Sequence, residues 1–449
     1  MKIKQFEDKN LAHFSYAISS NGSMAIIDPS RNPKEYFEYA KQNNATITAV
    51  IETHPHADFV SSHLEIYKST GATIFVSKLL GAEYPHQTFD DGDVIHIGSI
   101  QLIAMNTPGH SPDSISILAK DETGREHAIF TGDTLFIGDC GRPDLREQVG
   151  NITAARKQLA EQMYESLRHK IVPLHNDVIV YPAHGSGSLC GKALSSDKTS
   201  TIGLEKLTNW SLQDMSKETF IDTLLANQPF IPKYFQYNVT LNKKGAPDYQ
   251  SGISNVKITK VDTNQIPHIH LYPNILIIDT RHQLEFKKSH LQNAINLMND
   301  VKFETWLGSI VNPMEPFYLI GETEADIIEL IDRIAKIGYE NQIQEAIILN
   351  SGNSQMPLFE SDRLKSNEDS FTIVDVRNQD EVISKKIFTN AIHIPLHELR
   401  ERTNELPTHK PILVHCAGGY RSAAGSSIID SNLELPLGVY DLSDAVKSY

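Results

Sequence analysis

A chain of 449 residues, 40% hydrophobic and 22% charged, is globular in composition and too long for one core, so about three domains are expected. Its 41 Lys and Arg against 56 Asp and Glu leave a net charge of −15, which disfavours non-specific nucleic-acid binding, and no basic block offsets it. No apolar run approaches a membrane span, the first residues carry no apolar signal core, and three widely spaced cysteines form no disulfide framework, so a cytoplasmic protein is expected.

Through residue 245, short apolar runs alternate with helical stretches. Strands are expected at 25–27, 49–51, 72–76, 114–118 and 179–181, and helices at 34–42, 153–168 and 217–227. This alternation fits a two-sheet sandwich with outer helices. Four times an apolar run meets a group able to bind metal. Ala49-Val50-Ile51 leads to Thr53-His54-Pro55-His56-Ala57-Asp58-Phe59, and residues 101–104 lead to Thr107-Pro108-Gly109-His110. Ala128-Ile129 leads to Phe130-Thr131-Gly132-Asp133, and Val178-Ile179-Val180 to Tyr181-Pro182-Ala183-His184. A sheet collects ligands along one edge in this way. In extended chain residues two apart share a side, so His54 and His56 can face one ion. His86, His96, His127 and His270 are scattered and read as ordinary surface or core histidines.

Residues 244–252, rich in turn formers, read as a linker. Two related segments follow. Ile275-Leu276-Ile277-Ile278-Asp279-Thr280-Arg281 opens one, and Phe371-Thr372-Ile373-Val374-Asp375-Val376-Arg377 opens the other. Each is a buried strand ending in Asp-x-Arg, followed by a short helix, an Ala-Ile strand, a helix and a further strand. A period of one small domain indicates duplication rather than a solenoid. In the second segment, residues 411–415 run into Cys416-Ala417-Gly418-Gly419-Tyr420-Arg421-Ser422. A cysteine leaving a strand for a Gly-rich loop at a helix start sits among inward-pointing N–H groups. Those groups and the helix dipole stabilise a thiolate or persulfide. Gly418 and Gly419 permit close approach, and Arg421 adds a fixed positive charge for an anionic sulfur substrate. A lone cysteine at a strand end is ordinarily an inert buried thiol; the Gly-Gly-x-Arg-Ser beside Cys416 makes it a candidate nucleophile. The first segment has Gly321 at the cysteine position and Asp326 at the arginine position, and is expected to be silent.

The four motifs in this order resemble the metallo-β-lactamase superfamily, and the two later segments resemble rhodanese domains. The resemblance implies a multidomain α/β and α+β fold. An αββα metallo-β-lactamase sandwich spans 1–245, a degenerate, inactive rhodanese-like parallel α/β domain spans 253–352, and an active rhodanese domain spans 356–449. The superfamily motif His-x-His-x-Asp-His ends in a histidine that serves a second metal. Here that position is Phe59, which has no lone pair, so one metal is expected. Among one-metal members the chain is similar to the persulfide dioxygenases, relatives of the mitochondrial ethylmalonic encephalopathy protein. The similarity lies in Gly132-Asp133-Thr134-Leu135-Phe136-Ile137-Gly138-Asp139-Cys140-Gly141-Arg142-Pro143-Asp144. It implies Fe(II), one per chain, held by His54, His110 and Asp133, a donor set suited to oxygen-activating non-haem iron.

By the same resemblance His56 is a neighbour rather than a ligand, although its spacing leaves either role open. Asp58 is expected to orient a ligand, and His184 to be structural or to face the substrate. Arg142 and Tyr181 align with positions that contact the thiol carrier; for Arg142 a buried structural ion pair is the equal alternative. Cys190, after a Gly/Ser loop, either faces the iron pocket and carries sulfur or is an inert buried thiol.

The resemblance implies a persulfide dioxygenase with sulfurtransferase activity. A low-molecular-weight thiol persulfide and O2 meet at iron and yield sulfite and thiol. Sulfite then takes sulfane sulfur from a Cys416 persulfide and leaves as thiosulfate. Arg421 and the loop residues Ala417, Gly418, Gly419 and Tyr420 hold the anions. The expected partners are therefore persulfide, O2 and sulfite, with neither nucleic acid nor membrane, in a homo-oligomer. Two rivals stand beside this reading. One is a glyoxalase II-type thioester hydrolase with a sulfur-transfer appendage, which needs two metals. The other is a non-enzymatic persulfide carrier or sensor using Cys416 and Cys190.

Overall fold

Alternation between two faces, both covered, along the first strands sets the N-terminal architecture. In His13–Ser20 (β2) and Ser23–Ile27 (β3), Phe14, Tyr16, Ile18, Ala25 and Ile27 enter one core, while Ala17, Met24 and Ile26 enter another. The first set meets Ile100, Leu102, Ile115, Ile117 and Phe130 from a second sheet, so two sheets pack face to face. The first sheet is ordered β1 (Lys2–Asp8), β2, β3, β4 (Thr46–Ile51), β5 (Thr73–Val76), β6 (Gln87–Thr88). The second is ordered β12 (Ser200–Thr201), β11 (Ile179–Pro182), β10 (Glu126–Gly132), β9 (Ile115–Lys120), β8 (Ile100–Asn106), β7 (Val94–Ile97). Outside the first sheet, the helix Lys34–Gln42 buries Tyr36 and Ala40 against Met24, Ile26 and Val50. Outside the second, the helices Ile152–Ser166 and Lys217–Leu225 bury Met163, Phe220 and Leu224 against Ile129 and Val180. The result is the expected αββα sandwich.

This computed structural model describes residues 1–145, 152–262, 265–266, 271–362, 364, 367–433 and 437–449; His270 lies outside them. The chain divides into two compact units, Met1–Tyr249 with Lys336–Gly338, and Gln250–Ala335 with Tyr339–Tyr449. The stretch 244–252, expected as a linker, is not all irregular. A helix, Tyr249–Ser254, begins inside it. Tyr249 is buried, its N–H donates to Glu65 Oε1 at 2.9 Å and its ring lies 5.4 Å from the Arg31 guanidinium, so tertiary anchoring overrides the turn-rich sequence.

The second unit holds two parallel sheets. One is ordered β13 (Ile258–Lys260), β17 (Ile343–Ile348), β16 (Phe317–Gly321), β14 (Leu276–Asp279), β15 (Ala294–Asn296). The other is ordered β19 (Ile392–His393), β18 (Thr372–Asp375), β20 (Ile412–His415), β21 (Val439–Asp441). Their continuous apolar runs are buried on both faces, as parallel sheets require. Among the described residues no helix is long and apolar enough to cross a membrane.

Candidate functional site

Strands β4, β8, β10 and β11 each run into a predicted metal motif. The structure brings His54, His110 and Asp133 together: one donor atom from each lies within 4.8 Å of the others, and all three residues are buried. His110 Nε2 is 3.4 Å and His54 Nε2 3.8 Å from Asp133 Oδ2. Those separations are too long for hydrogen bonds, and both oxygens of Asp133 are buried without one. A buried carboxylate facing two imidazoles across such gaps is what a metal ion between them would resolve.

Neighbouring backbone fixes this arrangement. Thr53 Oγ1 donates to Asp28 Oδ2 at 2.8 Å, so it accepts from His54 Nδ1 at 3.0 Å. The proton of His54 is thereby held on Nδ1, and Nε2 offers its lone pair toward Asp133. Gly132, at φ +51°, lies against Thr53; a Cβ there would come within 2.6 Å of Thr53 Oγ1. Gly141 is packed as tightly, since a Cβ would sit 2.0 Å from the Asp133 carbonyl and 3.0 Å from His110 Nδ1.

The other predicted residues divide. His56, Asp58 and His184 form a second buried donor group. His184 Nδ1 lies 3.2 Å from the Ala12 carbonyl, while Nε2 stands 3.5 Å from both Asp58 Oδ2 and Asp133 Oδ1. His184 therefore belongs to the cluster rather than to the scaffold around it. His56 Nε2 faces Asp28 Oδ1 at 3.1 Å. Burial alone would lower its pKa, but the charge and hydrogen bond of Asp28, then Glu52 and Asp133, push it up to about 9. Burial pushes the Asp58 carboxyl up, against the pull of His184. Phe59 is buried between His13 and His56, with ring centres 3.9 Å and 4.4 Å away.

Arg142 is buried in an ion pair with Asp144. Its guanidinium donates twice to Asp144, at 2.5 Å and 2.6 Å, and once to the Leu189 carbonyl at 3.2 Å. Tyr181 stacks on Phe130 with ring centres 5.2 Å apart and is only half-buried; burial raises its pKa. Cys190 is buried beside the centre, with Sγ grouped with Asp133 and His184. Burial first, then the charges of Asp133 and Asp58, raises its pKa well above the ordinary thiol value. Cys140 is also buried and free. Asp28, Glu52, Thr53 and His13 were not singled out from sequence. Thr53 opens the first motif without being read as a positioning group, and Asp28 ends an apolar run, the same signal that marked the others.

In the second unit, β20 ends at His415 and the helix Tyr420–Asn432 starts four residues after Cys416, with Gly419 at φ +99° as its first flank. The Cys416 sulfur accepts the N–H of Gly419 at 3.1 Å and of Gly418 at 3.5 Å, and the thiol donates to Ser422 Oγ at 3.5 Å. Ala417 and Gly418 are exposed, while the Tyr420 hydroxyl donates to the Met298 carbonyl at 3.1 Å. Burial pushes His415, just before the cysteine, down to about 4 despite the opposing charge of Asp375. In the other copy, Gly321 ends β16, and Thr323 and Asp326 cap a helix through a 2.7 Å hydrogen bond. A Cβ at 321 would lie 2.8 Å from Ile327 Cδ1, so no larger side chain fits there without repacking.

Family models agree with this division. The "Metallo-beta-lactamase superfamily" model matches residues 9–184, and the "Rhodanese-like domain" model matches 269–352 and 360–449. A solved metallo-beta-lactamase from Staphylococcus aureus subsp. aureus COL is 32% identical, covers 78% of this chain and 99% of its own, and superposes with a TM-score of 0.68. The chain belongs to the metallo-β-lactamase superfamily. This superfamily member carries two rhodanese-like domains after its sandwich. It is 28% identical over 200 residues to the mitochondrial persulfide dioxygenase ETHE1 of Bos taurus, a match covering 44% of this chain and 72% of that one. It is also 30% identical over 176 residues to a cytoplasmic hydroxyacylglutathione hydrolase of Arabidopsis thaliana, covering 38% of this chain and 63% of that protein, less than two thirds of its length.

Proposed function

We propose that the chain oxidises low-molecular-weight persulfides with O2 at a single Fe(II) in its first domain and transfers sulfane sulfur to sulfite through Cys416 in its last. The observation that carries this reading is the buried group of two imidazoles and one carboxylate at His54, His110 and Asp133, in a chain that also bears a Cys416 loop of N–H donors. The similarity to ETHE1 supports it.

His54, His110 and Asp133 would hold the ion. When bound, it supplies a centre where persulfide sulfur and O2 can react despite the spin of O2. Overall, one persulfide, one O2 and one water give thiol, sulfite and two protons. Thr53 keeps His54 in the tautomer that presents Nε2. Phe59 and Phe136, both fully buried, keep water from the apolar side of the site. Asp58 and His184 make the side beside Asp133 polar, and the Cys190 thiol stands there too. At Cys416, the thiolate takes the outer sulfur of a second persulfide and releases its carrier thiol. Sulfite attacks that sulfur, forms the S–S bond of thiosulfate and returns the bonding pair to Sγ. Gly418 and Gly419 N–H groups hold the sulfur anion throughout.

A thioester hydrolase is the second reading. The donor group His56, Asp58 and His184 and the similarity to hydroxyacylglutathione hydrolase favour it. Phe59 in place of a donor, packed with its ring centre 4.4 Å from that of His56, weighs against a second metal. The test is anaerobic iron loading, metal counting and oxygen-electrode assays on a panel of persulfides. Asp133→Ala should lose iron and O2 uptake while sulfur transfer by Cys416 stays within about twofold. Two zinc ions per chain with thioester hydrolysis and no O2 uptake would sink the proposal.

A further inference from the structure

Arg421 does not stand free beside Cys416. Its Nη1 and Nη2 donate to the two carboxylate oxygens of Glu381, the latter at 2.8 Å, and its guanidinium lies 6.0 Å from the Trp306 ring centre. Glu381 is itself pinned. Its Oε2 also accepts the backbone N–H of Asn378 at 3.0 Å, at the start of the helix Gln379–Ser384. The carboxylate therefore cannot swing away without uncapping that helix. The two side chains are 14% and 30% exposed, so their charges are only partly screened by water.

The first copy shows what becomes of this carboxylate without a cation. It keeps the same Asp-x-Arg-x-x-x-Glu spacing in Asp279, Arg281 and Glu285, but Asp326 replaces the arginine. There Glu285 is 52% exposed, and among the described residues its one ion pair is with Lys288, at 3.9 Å. The tight pair exists only beside the nucleophile.

We propose that Glu381 is a specificity-determining residue of the Cys416 site, a fixed countercharge that offsets Arg421 and weakens the capture of dianionic sulfur species relative to persulfides of uncharged thiols. The inference rests on the sulfur-transfer reading above. A guanidinium has five N–H donors, and Glu381 takes two of them. Arg421 therefore still offers directed hydrogen bonds to sulfite while its net attraction is reduced. A persulfide on an uncharged thiol does not feel that reduction in the same degree. Glu381 thus acts on the entry of the acceptor and leaves bond making and breaking at Sγ to the loop.

Glu381→Gln removes the charge and keeps an acceptor at the third helical position, where Gln caps as Glu does. The experiment is steady-state sulfur transfer by the full chain from 2-mercaptoethanol persulfide to sulfite. The KM for sulfite should fall about fivefold, with kcat and the donor KM within about twofold, as expected for one partly screened charge. A folded variant with an unchanged or raised sulfite KM overturns the proposal, because a purely positioning role predicts weaker anion capture. If Glu381→Gln does not fold, Glu381→Ala is read by the same ratio of sulfite KM to donor KM. Failure of both to fold makes the charge a requirement of the fold and also overturns the proposal. Wild-type protein without any transfer overturns the sulfur-transfer reading instead, and the inference with it.

Discussion

The two rhodanese-like copies share a frame and differ in the loop laid upon it. In each, the strand-end aspartate receives an arginine two residues on. Arg281 donates to Asp279 at 3.0 Å and 2.6 Å, and Arg377 to Asp375 at 2.9 Å and 2.6 Å. Each arginine also reaches a backbone carbonyl eight residues further, Ser289 at 2.9 Å and Lys385 at 3.0 Å. The central strand pairs in the same register, Asp279 against Ile320 and Asp375 against His415. One residue later the copies part, at Gly321 and Cys416. The ion pair therefore goes with the shared frame, whereas Cys416 belongs to a loop that the first copy lacks without disturbing the sheet.

Cys416→Ser tests that separation with the largest effect. Thiosulfate formation should fall by at least about a thousandfold, because a serine hydroxyl forms no stable persulfide. Sulfite should accumulate in its place at unchanged O2 uptake, measured by chromatography of both anions. Thiosulfate at the wild-type ratio would move the transfer step elsewhere, with Cys190 the next candidate.

A second test asks whether the shared ion pair is scaffold in both copies. Arg281→Ala and Arg377→Ala each leave a buried carboxylate without its partner, and each should destabilise the fold by about 3–5 kcal/mol. Denaturant unfolding of the two variants should give similar losses. A loss confined to the Arg377 variant would make that pair part of the active loop's machinery.

The smallest expected effect concerns the position where Ile320 in one copy faces His415 in the other. His415 titrates at about 4 when folded, against an ordinary 6.5. The unfolded chain binds more protons between those values, so the neutral histidine's contribution is complete above about pH 6.5 and shrinks as pH falls toward 4. The loss should reach about 2–3 kcal/mol across that window. His415→Ile should flatten this part of the stability profile, and an unchanged slope would assign it to other groups.

What the sequence reveals of these sites follows from how local each interaction is. His54, His110, Asp133 and His184 each follow a strand by one to four residues, so strand-then-donor was enough to find them. Asp28 acts on Thr53 from 25 residues away, across β3 and β4, and only the sheet pairing brings it there. His13 reaches the cluster through an isolated bridge to His184, which no local pattern announces. Arg142 was ambiguous although its partner, Asp144, stands two residues on, because the sequence does not say which way a guanidinium turns. The first strand, Lys2–Asp8, escaped notice because it is an edge strand in which only Phe6 is fully buried.

The donor cluster also has a history within each molecule. Its members stretch from position 54 to position 184 and converge only after strands of two sheets have paired and closed on each other. Contacts of such long sequence separation form late in folding. The sandwich has its own apolar core to hold it, so a metal would arrive at a finished cavity rather than nucleate the fold. A finished cavity of two imidazoles and a carboxylate also binds later first-row metals more tightly than it binds ferrous ion. Which ion occupies it is then decided by supply at the moment of loading, and zinc-rich expression would yield a well-folded protein carrying zinc.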